Sequence, residues 1–232
     1  MGIKVIIGAD RGIANAISRQ LNERGDHVLA AVMGDGEDLK AEGIEVFTGF
    51  DVTKDAPVEA LAKQIADSGE TIDWLVNVAG VMFLDTLDTV DWDDMRRQYE
   101  INTIGPLRVV RALRGSLAEG SKVGIFTSRV GSMGDNTGGG DYAYRITKAG
   151  ANMVARNLSV DLGKRGIAVQ ALHPGLANTN LLDVMDPEEK AKAESMLLSP
   201  QDAAAGIINV LDNLTLENAG QFQHGNGEIL PW

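Results

Sequence analysis

Near its beginning the chain reads IKVIIGADRGIA, from residue 3 to residue 14. The β-branched run at residues 4–7 predicts a buried strand, and the pattern at residues 12–24 predicts a helix. Gly8 and Gly12 permit a tight turn between them, so the free N–H groups at the helix N-terminus can point at a pyrophosphate. Glycine turns are also common between strands and helices that bind no nucleotide, so this motif alone is a weak signal.

Short apolar runs and longer amphipathic stretches alternate along the rest of the chain. We predict further strands at residues 28–32, 45–47, 74–76, 122–127, 168–172 and 221–224. We predict further helices at residues 58–68, 95–118, 142–164 and 201–211. This alternation is typical of βαβ units, and right-handed crossovers place helices on both faces of a parallel sheet. The sequence therefore predicts a single α/β domain over residues 1–232, with seven strands.

The composition argues against several classes of function. With 232 residues, 44% of them hydrophobic, the chain fits one domain with a sizeable core. Its net charge of -12 disfavours nucleic acid and anionic membranes as partners. The chain has no cysteine and its three histidines are scattered, so we predict neither disulfides nor a metal site. We see no signal-peptide pattern and no apolar run long enough to span a membrane, and we expect a cytoplasmic protein.

Tyr144 and Lys148 form the most informative pair of residues. They lie four residues apart in a stretch that reads as one helix, and Ser128 lies upstream at the end of an apolar run. Residues at i and i+4 share a helix face, so the ammonium favours the ionised phenol. A free tyrosine titrates near ~10, and bringing its pKa close to neutrality takes roughly 4 kcal/mol. The pair therefore predicts an acid/base device, whereas Tyr142 has no lysine at i+4.

Polar residues also follow other predicted strands. Asp51 and Val52 follow the third strand, where a carboxylate can accept a hydrogen bond from an adenine amino group, and residues 77–80 follow the fourth. Asn102 lies among apolar neighbours in a predicted helix, where it can anchor a water or a backbone group. Each residue alone is more often a cap, a turn or a satisfied buried amide. Their joint placement at the carboxyl ends of strands favours a ligand site.

Two segments interrupt the alternation. Residues 131–141 are rich in glycine and polar residues, so they predict a loop that leads directly into Tyr144. Residues 178–200 carry apolar residues, among them Met185 and Leu198, around a charged centre. We interpret this segment as a lid over the substrate, and a helix packed into the core is an equally good interpretation.

At this point the chain resembles the short-chain dehydrogenase/reductase family over nearly its whole length. The matching elements are Gly8, Gly12 and Ala14; Asn77-x-Ala79-Gly80; Asn102; Ser128 with Gly131; Tyr144-x-x-x-Lys148; and His173-Pro174-Gly175 followed by Thr179. Within the family, residues 131–145 and 227–232 look like the C-factor and sniffer-type carbonyl reductase branch. The resemblance implies a Rossmann fold, with a doubly wound and mostly parallel sheet in the strand order 3-2-1-4-5-6-7.

The resemblance also implies roles for individual residues. Tyr144 would be the general acid/base, and Ser128 would hydrogen-bond the substrate oxygen. Lys148 would lower the pKa of the tyrosine and hold the nicotinamide ribose, and Asn102 would position a water leading to Lys148. The expected cofactor-binding residues are Gly8, Asp10, Arg11, Gly12, Ile13, Val32, Met33, Asp51, Val52, Asn77, Ala79, Gly80, Tyr144, Lys148, Pro174, Gly175 and Thr179.

The chain departs from the family pattern at three positions. Ile7 stands where the family usually has threonine, Ala14 replaces the third glycine, and Val78 replaces the second asparagine. Alanine is tolerated at the third glycine, because that position concerns helix packing more than phosphate contact. Since Ile7 and Val78 each remove a side-chain hydrogen bond, we expect looser support of the cofactor cleft and retained binding.

The residues at the end of the second strand indicate which coenzyme the protein prefers. Val32 and Met33 stand there, so no carboxylate is expected at these positions to repel a 2′-phosphate. Arg11 precedes the second motif glycine and can reach such a phosphate, although it can also be solvated or paired with Asp10. We therefore expect NADP(H), with NAD(H) as the alternative.

The leading interpretation is an oxidoreductase that interconverts an alcohol and a ketone or aldehyde by hydride transfer. The alternative is a signalling or regulatory protein of the C-factor type that keeps the dinucleotide site as a sensor. A sugar-nucleotide epimerase needs a larger C-terminal domain than the residues after Gly175 can build. The helices predicted at residues 95–118 and 142–164 carry apolar faces, and the resemblance implies that they pair in a homodimer or homotetramer.

Overall fold

The computed structural model describes residues 2–184, 188, 191 and 193–232. The strands are β1 Ile3–Ile7, β2 Val28–Ala31, β3 Glu45–Phe47, β4 Ile72–Asn77, β5 Leu117–Phe126, β6 Ala168–His173, β7 Phe222–His224 and β8 Ile229–Leu230. The α-helices are α1 Gly12–Glu23, α2 Glu37–Ala41, α3 Asp55–Ser68, α4 Trp92–Tyr99, α5 Gly105–Leu113, α6 Tyr142–Gly163 and α7 Pro200–Asp212.

The strands form one sheet in the order β3-β2-β1-β4-β5-β6-β7-β8. The first seven strands are parallel, which confirms the predicted α/β architecture and its strand order. The prediction of seven strands omitted β8, which pairs antiparallel with β7 through Phe222 opposite Leu230. A strand of two residues shows no period in sequence, and only its pairing with β7 identifies it.

Helices cover both faces of the sheet. All five residues of β1 are buried, as expected for a parallel strand that is packed on both sides. Val5 and Ile7 pack into one apolar cluster with residues of α3 and α5, while Ile6 packs into a second cluster with residues of α1 and α7. The core therefore has two layers, and the carboxyl ends of the parallel strands meet at one edge of the sheet.

The helix predicted at residues 95–118 is interrupted and ends early. It begins at Trp92 as α4, widens into a π-helical turn at Glu100–Ile104, and continues as α5. Pro106 has no N–H to donate to the preceding turn, which permits the wider winding. Strand β5 begins at Leu117, so the last two residues of the predicted helix belong to the sheet. The short helix α2 was not predicted.

The described residues contain no helix that is both long enough and apolar enough to cross a membrane.

Candidate active site

A cleft of about 1310 Å³ opens at the carboxyl ends of β1, β4, β5 and β6. This edge is where open α/β sheets bind their ligands, because the chain crosses to opposite faces after β1 and β4. The volume exceeds the range of about 300–1,000 Å³ that is usual for a pocket holding one small ligand. The cleft therefore has room for a cofactor and a substrate together.

The glycine turn forms one end of the cleft. Gly8 has a φ of +84°, and a Cβ atom there would lie 2.9 Å from the backbone of Ala79, so a side chain fits neither the conformation nor the space. Arg11 is the N-cap residue of α1 and makes no side-chain capping bond. The N–H groups of the first turn of α1 are left available for a phosphate, which fits a dinucleotide at this place.

Asp10 places a carboxylate at the end of β2, where the sequence led us to expect none. Its carboxylate accepts hydrogen bonds from the backbone N–H groups of Met33, at 3.0 Å, and Gly34, at 2.8 Å. A carboxylate therefore does lie at the end of β2, although it comes from the glycine motif and not from β2 itself. Arg11 lines the same cleft, and in the described part of the chain it forms no ion pair with Asp10.

Most of the expected cofactor-binding residues line the cleft. They are Gly8, Asp10, Arg11, Gly12, Ile13, Met33, Asp51, Val52, Ala79, Gly80, Tyr144, Lys148, Pro174, Gly175 and Thr179. Val32 and Asn77 are fully buried and do not line it. The two amide atoms of Asn77 have no hydrogen-bond partner among the described residues, which leaves them for a bound group or water at the end of β4.

The ends of β1 and β4 remain tied together despite the departures at positions 7 and 78. The N–H group of Val78 donates to the carbonyl oxygen of Ile7 at 3.1 Å. The backbone pairing of the sheet thus continues to Val78, while looser support of the cleft at positions 7 and 78 stays a prediction.

Helix α6 presents Tyr144 and Lys148 to the cleft. Asp85 fixes the start of this helix, because its carboxylate accepts hydrogen bonds from the N–H groups of Tyr142 at 2.5 Å and Ala143 at 3.0 Å. The Tyr144 hydroxyl lies within hydrogen-bonding reach of Ser128, and Lys148 Nζ lies 5.6 Å from the centre of the tyrosine ring. The three side chains predicted to carry the chemistry therefore meet in one place.

The pKa values of Tyr144 and Lys148 differ from those expected from the sequence. Tyr144 is buried, and burial raises the pKa of its phenol above the ordinary value, while the hydrogen bond with Ser128 lowers it by less. Burial also lowers the pKa of Lys148 to about 8. The predicted depression of the tyrosine pKa by Lys148 is therefore not observed in the protein alone, because desolvation outweighs the attraction of one ammonium.

Asn102 acts as a clamp between two segments. It is 1% exposed and lies in the π-helical turn, a feature that is frequent at functional sites. Its Oδ1 accepts from the N–H group of Val81 at 2.9 Å, and its Nδ2 donates to the Val81 carbonyl at 2.9 Å and to Thr147 Oγ1 at 3.1 Å. The side-chain amide thus joins the segment after β4 to helix α6, and it does not line the cleft.

Several residues of the cleft carry no recognisable signal in the sequence. The segment after Gly80 contributes Met82, Phe83 and Leu84, and α4 contributes Arg97. Irregular segments show no periodicity, so their side chains cannot be assigned to a site in advance. These residues line the same cleft as Tyr144 and Ser128.

His173 also lines the cleft, at the end of β6. Its ring packs edge to face against His224, with 4.8 Å between ring centres. Burial is the main cause that lowers the pKa of His173 to about 3, and nearby positive charges lower it further. The imidazole is therefore neutral at physiological pH and cannot serve as a general acid there.

The segment expected to form a lid is described in part. Met185 and residues 186, 187, 189, 190 and 192 lie outside the described residues. Leu182 lines the cleft and is buried, and Ala177 pairs with Leu198 in an isolated parallel bridge. The described beginning of the segment thus forms one wall of the cleft, while its closure over a substrate stays a prediction.

Comparison with known proteins agrees with this architecture. A family model described as enoyl-(acyl carrier protein) reductase matches residues 8–210. A relative from Rhodococcus sp. (strain AD45), named 1-hydroxy-2-glutathionyl-2-methyl-3-butene dehydrogenase, is 51% identical over 232 residues and covers 100% of both chains. C-signal of Myxococcus xanthus is 39% identical over 164 residues, which are 69% of this chain and 93% of that protein.

Solved structures share the whole fold. The carbonyl reductase Sniffer of D. melanogaster superposes with a TM-score of 0.86 at 22% identity, covering 100% of this chain and 99% of the other. A short-chain dehydrogenase/reductase-type protein from Burkholderia multivorans, solved with bound NADP, gives a TM-score of 0.84 at 26% identity with the same coverage. The chain belongs to the short-chain dehydrogenase/reductase family of oxidoreductases.

Proposed function

We propose that this member of the short-chain dehydrogenase/reductase family interconverts an alcohol and a carbonyl compound with a nicotinamide dinucleotide, using Tyr144 as the general acid/base. The observation that carries the proposal is the cluster of Ser128, Tyr144 and Lys148 at the wall of a cleft large enough for two ligands. A hydroxyl pair beside a buried lysine suits proton transfer at an oxygen atom, because each hydroxyl can both donate and accept.

Each residue of this cluster has a separate role in the proposed proton transfer. Ser128 donates a hydrogen bond to the substrate oxygen and holds it beside the Tyr144 hydroxyl. Tyr144 takes the proton of the alcohol during oxidation and returns it to the carbonyl oxygen during reduction. Lys148, when protonated, stabilises the tyrosinate that forms on the way, and its pKa of about 8 lets it pass a proton onward near neutral pH. Asn102 is proposed to support this relay by positioning a water near Lys148.

The proposed coenzyme lies between the glycine turn and helix α6. When bound, its nicotinamide ring supplies or accepts the hydride. The first turn of α1 would hold the pyrophosphate, Asp51 the adenine, and Lys148 the nicotinamide ribose. NADP(H) is favoured by Arg11 and by the NADP-bound Burkholderia structure, and NAD(H) is the alternative, because Asp10 places a negative charge at the end of β2.

The Rhodococcus relative supports alcohol oxidation as one direction of the reaction, since its name describes the dehydrogenation of a hydroxy compound. Purified protein should change the absorbance of NADPH or NADH with a panel of aldehydes, or of the oxidised coenzymes with a panel of alcohols. Tyr144→Phe should lower kcat by about 10²–10⁴-fold while coenzyme still binds. A complete lack of turnover across both panels would contradict the proposal.

A second function is favoured by the likeness to C-signal, which covers 93% of that protein. In this alternative the chain is a dinucleotide-binding signalling or regulatory protein with little turnover. Tyr144→Phe separates the two functions, because a sensor keeps its biological effect in this variant and a reductase does not.

We also propose a homodimer or homotetramer that forms through the faces of α4, α5 and α6. Tyr99, Ile146, Met153 and Val160 leave apolar surface exposed on these helices. Light scattering of the purified protein would measure the mass of the assembly. A cytoplasmic location stays a prediction, which cell fractionation would test.

A further inference from the structure

Arg97 is an exposed cation at the wall of the cleft. Its guanidinium carbon lies 5.3 Å from the centre of the Phe83 ring, a stacked arrangement that orients the group. In the described part of the chain Arg97 forms no ion pair. The neighbouring Arg96, by contrast, forms an ion pair with Asp93 at 2.7 Å. Since Arg97 has no carboxylate partner among the described residues, its guanidinium is available to an anion.

Arg97 lines the same cleft as Tyr144 and Ser128, and the contacts of Phe83 connect the two sides. The buried Gln98 accepts from the N–H group of Phe83 at 3.1 Å and donates to its carbonyl at 3.2 Å, which fixes this residue against α4. Two residues later Asp85 caps α6, one turn before Tyr144. A short and hydrogen-bonded segment therefore connects the arginine to the helix that carries the tyrosine.

Glu100, an acid close to Arg97 in sequence, is already paired with another arginine. Glu100 lies one turn after Arg97 and also lines the cleft, but its carboxylate binds Arg108 at 2.7 Å. A chain with a net charge of -12 repels anions in general, so an anionic substrate needs a local cation to bind. Arginine suits a carboxylate best, because its planar group can donate two parallel hydrogen bonds.

We propose that Arg97 binds a carboxylate of the substrate, and that the substrates are alcohols or aldehydes carrying a glutathione thioether. This inference rests on the proposed function and specifies its substrate class. The Rhodococcus relative is named for a glutathionyl alcohol, and a glutathionyl group carries two carboxylates that an arginine can recognise. Met82 and Leu84 line the cleft on either side of Phe83 and provide apolar contacts for the hydrocarbon part of such a substrate.

Two alcohols with the same reacting end test this inference. S-(2-hydroxyethyl)glutathione carries the carboxylates, and 2-(ethylthio)ethanol has the same thioether alcohol without them. Arg97→Gln should lower kcat/KM for the glutathione compound by about 10- to 100-fold, mainly through KM, as expected for the loss of a charged hydrogen-bond partner. Its activity on 2-(ethylthio)ethanol should change by less than about twofold. Arg97→Lys should retain part of the preference, and Arg96→Gln, with the same change of charge, should retain all of it.

Binding can be measured without turnover. S-methylglutathione has no alcohol to oxidise. Titration calorimetry should show that it binds the wild-type protein and Arg96→Gln equally well, and binds Arg97→Gln about 10- to 100-fold more weakly. Equal losses on both alcohols, or no loss on the glutathione compound, would overturn the role of Arg97. If the wild-type protein oxidises 2-(ethylthio)ethanol and does not prefer the glutathione compound, the substrate class is wrong and the proposed function stands. Inactivity on these and all other alcohols and aldehydes would instead contradict the proposed function.

Discussion

Replacing Lys148 with methionine should stabilise the protein while it abolishes turnover. Lys148 is 4% exposed, and burial lowers its pKa from 10.5 to about 8. This difference of about 2.5 units means that the charged lysine costs the folded state roughly 3 kcal/mol at neutral pH. Methionine fills similar space without a charge, so it removes this cost.

The loss of one hydrogen bond reduces this gain in stability. Lys148 Nζ donates a long hydrogen bond to the carbonyl oxygen of Phe126 at 3.3 Å. Losing it leaves a buried carbonyl without this partner and costs about 1 kcal/mol. The net increase in the free energy of unfolding is then about 2 kcal/mol, which corresponds to about 4–8 °C in Tm for a domain of this size.

The stability gained by Lys148→Met should depend on pH. The folded pKa of Lys148 lies below its unfolded value, so the unfolded chain holds the proton more tightly. Below about pH 8 the lysine is charged in both states and the full cost is present; between about pH 8 and 10.5 the folded protein loses the proton first and the cost fades. The stability gap between variant and wild type should therefore shrink by about 2 kcal/mol from about pH 7 to about pH 9.5.

Urea unfolding of the coenzyme-free proteins at both pH values measures this gap. Lys122→Met is the matched control. Burial also lowers the pKa of Lys122, but this lysine donates two hydrogen bonds, to the carbonyl oxygens of Leu211 at 2.7 Å and Asp212 at 2.9 Å. Its removal should destabilise the protein. The reasoning about Lys148 is refuted if Lys148→Met is less stable than the wild type at pH 7, or if the gap does not depend on pH.

Three other substitutions test the supports of the site. Asp85→Ala removes the cap of α6 and should cost about 1–2 kcal/mol in urea unfolding, with a lower kcat; Asp88→Ala, on the same loop, should leave both unchanged. Asn102→Ala should cost about 2–4 kcal/mol, because the backbone groups of Val81 lose both of their hydrogen bonds to it; a loss below that range would show that the clamp carries little energy. Asp10→Asn removes the negative charge at the end of β2 and should raise the ratio of kcat/KM for NADP(H) over NAD(H) about tenfold; an unchanged ratio would exclude Asp10 as a determinant of coenzyme preference.

Much of the fold follows from the sequence because it depends on local patterns. The β-branched run before Gly8 and the amphipathic stretch after Gly12 are each visible within a window of a few residues, and their alternation restricts the topology. The shared face of Tyr144 and Lys148 follows in the same way, since residues four apart lie one above the other on a helix. The place of Ser128 beside them was expected only from the family resemblance, because it lies outside that helix. The helix predicted at residues 95–118 was wrong where its winding widens at Glu100–Ile104 and where β5 begins at Leu117.

What the sequence determined by itself was the architecture, the glycine turn and the shared helix face of Tyr144 and Lys148, because these depend on neighbours along the chain. Only the tertiary structure decided the pKa shifts of the buried groups and the contact partners of the side chains in the cleft. The reach of Asp10 to β2, the burial that raises the pKa of Tyr144, and the contact of Arg97 with Phe83 all depend on groups that meet through folding. Desolvation and long-range contacts have no signature in a linear pattern, since they are set by the packing of segments far apart in the chain.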